Sequence, residues 1–188
     1  MKRIPLSLFT FLFLLSGLYA APTKTVWQIG EKNHSASELA LSPDKYKEFL
    51  ANDFGWEDRF YIIGLSSPQK DFPYVLPGPA DHWGGTSYTA GIRTHVLNIL
   101  FGMKEVPETD SWKLIIDLLD THHEFPALFK ITINGKSWKY ALPKGSGKSI
   151  DGDYSQIKPH TIEIPLNSGV IRKGSNSIAL TRLEGSWI

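Results

Sequence analysis

The chain reads as an all-β protein, an antiparallel β-sandwich. Three observations predict this. Apolar and polar residues alternate with a period of two in six or more segments, as in strands that bury one face. With 16 Gly and 12 Pro among 188 residues, turn signals separate these segments and leave little room for long helices. No strand–helix–strand rhythm is visible, which argues against a parallel sheet.

The elements follow in chain order. The chain opens MKRIPLSLFTFLFLLSGLYAAP: Lys2 and Arg3, an apolar run from Ile4 to Leu15, then small residues around Ala20. This is the layout of a secretory signal, and the run is short for a bilayer span of about 20 residues. Residues 1–20 are therefore expected to be a signal peptide and 21–188 a single domain. The expected location is secreted or periplasmic, with no stable membrane span after cleavage. A signal anchor is the rival reading, and Pro22 and the early start of folded sequence count against it. The chain has no cysteine, so neither a lipidated N-terminal cysteine nor a disulfide can hold it, and stability must come from packing.

In the first half, KTVWQIG reads as a short strand with Val26 and Ile29 apolar. Ser42-Pro43-Asp44 reads as an N-cap with proline at the first helical position, placing Tyr46, Phe49 and Leu50 on one helix face. DRFYIIG is strand-like. SSPQKDFPYVLPGPADHWGG is read as a long loop, of a length that is often functional. In the second half, Leu97, Ile99 and Phe101 alternate with polar or mixed positions, and WKLIIDLLD is a strong strand. Phe129, Ile131 and Ile133 mark one face of ALFKITING, whose Asn134-Gly135 is the preferred two-residue hairpin turn, with SWKYALP returning. HTIEIPL and NSIALTRLEG are two more strands, joined by a turn expected to carry a short helical segment. GSGKSIDGDYSQ reads as a polar, flexible loop.

Net charge is +1 and lysines and arginines are scattered, so nucleic acid has no electrostatic footprint here. Aromatic residues make up 12 % of the chain, enough to serve both a β-core and a surface on which sugar faces stack.

Four stretches carry candidate chemistry. DTHHEFP holds His122 and His123 between Asp120 and Glu124. In extended chain, neighbouring side chains point to opposite faces, so the two imidazoles do not readily share a metal ion. The plainer reading is a turn after the 112–119 strand, ended by Pro126, in which Thr121 or His122 bonds backbone groups. GSGKS resembles part of a phosphate loop but lacks its leading glycine and a following helix. Asp151 and Asp153 offer oxygen atoms of the kind a structural calcium takes, without the spacing of a calcium loop; no other cofactor is expected. Tyr74, His82, Trp83 and Trp56 lie in loop-like sequence, where rings either plug the ends of a sandwich or meet saccharides. No nucleophile motif and no revealing carboxylate pair is present.

The order W-x-I-G (from Trp27), P-G-P (77–79), D-L-L-x-T-H (117–122), I-N-G (133–135) and G-S-W (185–187) resembles the carbohydrate-binding-module-like third domain of family 4 polysaccharide lyases, the rhamnogalacturonan lyases. The resemblance runs from about Thr25 to Ile188. It implies a jelly-roll-like, galactose-binding-like β-sandwich that accompanies a catalytic lyase domain and a fibronectin-like domain. The lyase's catalytic residues belong to another domain, so none is carried onto this chain. Two positions depart from the pattern: Asn33 stands where Asp is usual, and Leu39 where Phe is usual. The family normally runs on after G-S-W, so a sandwich lacking its last strand, or a fragment that works beside a downstream catalytic domain, is a further expectation.

The leading functional expectation is a non-catalytic module for a polysaccharide or oligosaccharide, associated with pectin (rhamnogalacturonan) degradation. Candidate ligand contacts are stacking on Trp56, Tyr74 and Trp83, with hydrogen bonds from His82, Arg93, Asp120 and His122. Affinity would be weak, on the order of 0.1–1 mM. A polysaccharide lyase or glycoside hydrolase fragment, and a purely structural packing domain, are the alternatives.

Overall fold

Strands form where the alternation lies. The computed structural model describes residues 24–42, 45, 47–48, 58–81, 95–106 and 111–188. Within them the chain runs β1 (Arg59–Ile62), a one-turn helix α1 (Pro68–Asp71), β2 (Val96–Met103), β3 (Trp112–Leu118), β4 (Leu128–Ile133), β5 (Lys136–Ala141), β6 (His160–Leu166) and β7 (Gly174–Glu184). One sheet has the order β1-β2-β7-β4-β5, and β3 pairs with β6 in a second. The two layers make a β-sandwich.

The core is the inward half of each alternating strand. Leu97, Ile99 and Phe101 of β2 pack with Phe129, Ile131 and Ile133 of β4, Ile178 and Leu180 of β7, and Ile162 and Ile164 of β6. Burying each such side chain contributes about 1.5–3 kcal/mol. Asn134 and Gly135 adopt φ of 47° and 88°, the left-handed pair that the tight β4–β5 turn requires. β7 is paired on both sides, with β2 and with β4, so no gap opens in the centre of the sheet.

Several expectations are corrected. The sheet is not wholly antiparallel: β1 runs parallel to β2, which the long connection from Ile62 to Val96 permits. Residues 24–30 form no strand. No neighbour offers them a ladder, and Gly30 turns the chain at φ 70°, yet Trp27 and Ile29 still pack on the core, Trp27 with its ring 5.2 Å from Phe101. The proline-rich loop contains α1, started by Pro68 and closed by the Ser67 N–H donating to Asp71 Oδ2 at 2.7 Å. The turn before β7 holds no helix. Its carbonyls are taken instead by two asparagines: Asn134 Nδ2 donates to Val170 O and to Asn176 Oδ1, both at 2.7 Å, and Asn176 Nδ2 donates to Arg172 O at 2.8 Å. Most of the predicted helix after Ser42 lies outside the described residues.

Candidate functional site

Two of the stretches singled out in the sequence prove to be one unit, joined by Asp120. Its side chain is 2 % exposed. Oδ1 accepts from the Ser146 N–H at 2.7 Å and, more loosely, from the Lys158 N–H at 3.4 Å. Oδ2 accepts from the Ser146 hydroxyl and from the Lys148 N–H at 3.2 Å. Burial pushes the carboxyl pKa up. The bonds from the Ser146 side chain and the Ser146, Thr121 and Lys148 backbone outweigh that and hold it below the usual carboxylate value.

Glycine makes this approach possible. A Cβ on Gly145 would sit 2.1 Å from Thr121 O, and one on Gly147, at φ 74°, would sit 2.6 Å from His123 Nδ1. The GSGKS stretch is thus a strap laid against the 120–123 turn, ordered by a buried carboxylate, and not the free polar loop its composition suggests. Thr121 closes the other side, donating from Oγ1 to Pro143 O at 2.6 Å.

Beyond Asp120 the chain turns on His122. The Glu124 and Phe125 N–H groups donate to His122 Nδ1 at 3.1 and 3.0 Å. This fixes Nδ1 as an acceptor and leaves the proton on Nε2, which makes no hydrogen bond among the described residues. Burial, then the nearby His123, lower the His122 pKa; Asp81 and Glu124 oppose them without reversing the shift. The turn also stacks the rings. His123 lies 4.7 Å from His122 at 26°, and Phe125 lies 5.7 Å from it on a near-parallel plane at 23°. The segment is a turn, the plainer of the two readings, with Thr121 and His122 both bonding backbone groups, and the imidazoles lie face to face where extended chain would point them apart. Phe125 is 56 % exposed and His123 is exposed as well, so the stack presents ring surface to solvent.

Beneath the stack stands Trp187, 4 % exposed, meeting His122 edge-on at 5.9 Å. Val75 packs beside Trp187, with Leu41, Tyr74 and Ile150 around the pair, and Tyr74 donates its hydroxyl to Ile150 O at 2.9 Å. The last residues hold this floor in place: Leu76 N–H donates to Ile188 O at 2.9 Å and Ile188 N–H to Leu76 O at 3.1 Å. Deeper still, Arg182 is 1 % exposed. Its Nε donates to Pro77 O at 2.8 Å, its Nη1 has no partner among the described residues, and burial pulls its pKa down to about 10 against the opposing effect of Asp81. Asp81, also buried, accepts from the Ser186 hydroxyl and from the Gly78 N–H at 2.7 Å.

Of the predicted contacts, the structure brings His122 and Tyr74 together around Trp187. Asp120 lies in the same turn as His122, but its oxygens are occupied within the protein, which makes it a loop anchor where a ligand contact was expected. Trp56, His82, Trp83 and Arg93 lie outside the described residues. Sequence reasoning missed His123, Phe125, Ser146 and Trp187 as members of the site. The signals were present for two of them: Phe125 precedes Pro126 at the end of a polar turn, and Trp187 follows Gly185-Ser186. Asp153, considered for calcium, instead accepts from the Ser155 N–H at 3.0 Å and from its hydroxyl.

The family model "CBM-like: Polysaccharide lyase family 4, domain III" matches residues 25–187. The chain belongs to this family. The match spans both sheets, the strap and the ring stack, so the rim that strap and stack form is part of a domain III and not an appendage to it. Membership puts the protein among carbohydrate-binding-like domains of polysaccharide degradation, domains that work in association with a catalytic domain. Comparison with curated proteins gives no match. Among the described residues of this domain III, no helix is long and apolar enough to cross a membrane.

Proposed function

We propose that this domain III binds pectic glycan of the rhamnogalacturonan type without cleaving it, after export through removal of residues 1–20, and that it serves an accompanying lyase domain. The observation that carries this reading is the stack His123–His122–Phe125. Three planar rings are held parallel by backbone hydrogen bonds, with an outer face in water and a free Nε2–H at the centre. An exposed apolar ring fixed in this way suits the flat face of a sugar, and the imidazole N–H suits a hydroxyl.

Affinity electrophoresis in gels containing rhamnogalacturonan tests the reading. The wild-type chain is expected to be retarded, and Phe125→Ala to weaken binding about fivefold, the worth of one stacked ring at about 1 kcal/mol. Trp83→Ala measures what the sequence-predicted loop aromatic adds. No unsaturated product absorbing in the ultraviolet should accumulate. Retardation that is unchanged in Phe125→Ala would remove the ring stack from the account.

Binding should also depend on pH. The folded turn needs neutral His122, whose pKa is held below its unfolded value of about 6.5. A group shifted in this direction contributes fully above the unfolded value, and its contribution is lost as pH falls through the folded one. Glycan affinity is therefore expected to be flat at and above about pH 6.5 and to fall only as pH drops through the lowered His122 pKa, where protonation of Nδ1 expels the two N–H donors. In His122→Gln, measured by the same gels, that acid limb should disappear.

A further inference from the structure

The outer face of the five-stranded sheet takes no part in the rim site. Residues alternating with the buried Ile99, Leu180 and Ile131 point outward from it. Register sets Lys139 of β5 directly against Lys130 of β4, and Lys130 against Thr181 of β7. One row along, Ser137, Thr132, Ala179, Asn98 and Phe60 follow one another across all five strands. Thr132 Oγ1 and Ser137 Oγ are hydrogen-bonded at 2.8 Å, and Phe60, on edge strand β1, is 59 % exposed.

The lysine pair is the unusual feature. Like charges directly opposite on a sheet repel. Among the described residues no acid relieves them: the ion pairs there are Lys32–Asp117 at 2.6 Å and Lys113–Glu163 at 3.0 Å, and neither lysine of the β4–β5 pair takes part. The one acid of β7, Glu184, is in register with Leu128 instead of Lys130. An anion held between the two ammonium groups would remove the repulsion. The adjoining row says which anion. Its hydroxyls, and the Asn98 amide whose Nδ2 also donates to Arg59 O at 3.3 Å, match sugar hydroxyls, whereas a protein partner would want an apolar centre there. Four strand spacings separate Ser137 from Phe60, about 19 Å, the reach of a short oligosaccharide.

We propose that Lys130 and Lys139 form the carboxylate end of a second saccharide site, which takes a uronate-bearing oligosaccharide laid across the strands toward the Phe60 ring. The inference rests on the glycan-binding reading above and adds a surface and a charge requirement to it.

Calorimetry on the purified chain tests it with two probes: a short oligosaccharide alternating rhamnose and galacturonate, and the same oligosaccharide with its carboxyl groups reduced to alcohols. The acidic probe is expected to bind roughly tenfold more tightly at low salt, equivalent to about 1.4 kcal/mol. The advantage should shrink at high salt. The double variant K130Q/K139Q should abolish the advantage and leave affinity for the reduced probe unchanged. Equal affinity for the two probes, or a preference that survives K130Q/K139Q, overturns the inference; if Phe125→Ala then still weakens binding, the rim reading stands without it. Failure of the wild-type chain to bind either probe ends both. Concentration-dependent dimerisation abolished by K130Q/K139Q would assign the face to a second copy of the chain and equally overturn it.

Discussion

Asp120→Ala is expected to lower the unfolding free energy by about 4 kcal/mol, because a charged acceptor shared by several donors is removed at once. The Ser146 and Lys148 N–H groups and the Ser146 hydroxyl would be left without their acceptor against the 120–123 turn. Asp120→Asn should cost less, since one carbonyl oxygen survives while the amide end opposes donors. Urea unfolding gives both values, and limited proteolysis should cut the strap between Gly145 and Lys158 in the Ala variant first. A loss under about 1 kcal/mol for Ala would mean that water replaces the carboxylate freely. The same residue sets an acid limb in stability. Its folded pKa is depressed, so its contribution is complete above the unfolded value of about 3.9 and is lost as pH falls through the folded one. Asp120→Asn should flatten that limb.

Arg182→Ala is the second large effect, about 3–5 kcal/mol. The guanidinium occupies an inward position of β7 where the strand pattern would put an aliphatic side chain. Removing it orphans Pro77 O and leaves Asp81 buried without the cation near it. Arg182→Met should be nearly as damaging, because volume is kept but charge is not. Adding Asp81→Asn to Arg182→Met should recover part of the loss, since the uncompensated charge goes with it. Equal thermal midpoints for Arg182→Met with and without Asp81→Asn would show that the two groups are uncoupled.

These two residues also show where the sequence stops being readable. The strands from β2 to β7 were legible because Leu97, Ile99 and Phe101, or Phe129, Ile131 and Ile133, carry a period that only a half-buried strand satisfies. The Asn134-Gly135 turn was legible because few residues tolerate positive φ twice in succession. The parallel pairing of β1 was not legible, since a four-residue strand carries no mark of its partner. Buried Arg182 was not legible either, because its position is justified by Pro77 and Asp81, both distant in sequence. Within the site, Asp120 and His122 were picked out by residue type, but the role of Asp120 depends on a strap 26 residues away. The stacking of His122, His123 and Phe125 depends on two backbone bonds to one imidazole nitrogen, which the string HHEF does not announce. Trp187 was noticed as part of G-S-W but not as the floor beneath those rings.

The most direct test of the central claim is a backbone-amide NMR titration of the isotope-labelled chain with rhamnogalacturonan oligosaccharide. The account predicts saturable shifts at His122, His123 and Phe125, with the interior amides of β6 near Ile164 and Leu166, in the other sheet, unmoved. Saturable shifts confined to residues remote from this turn, or no shifts at all in a folded chain, would contradict it.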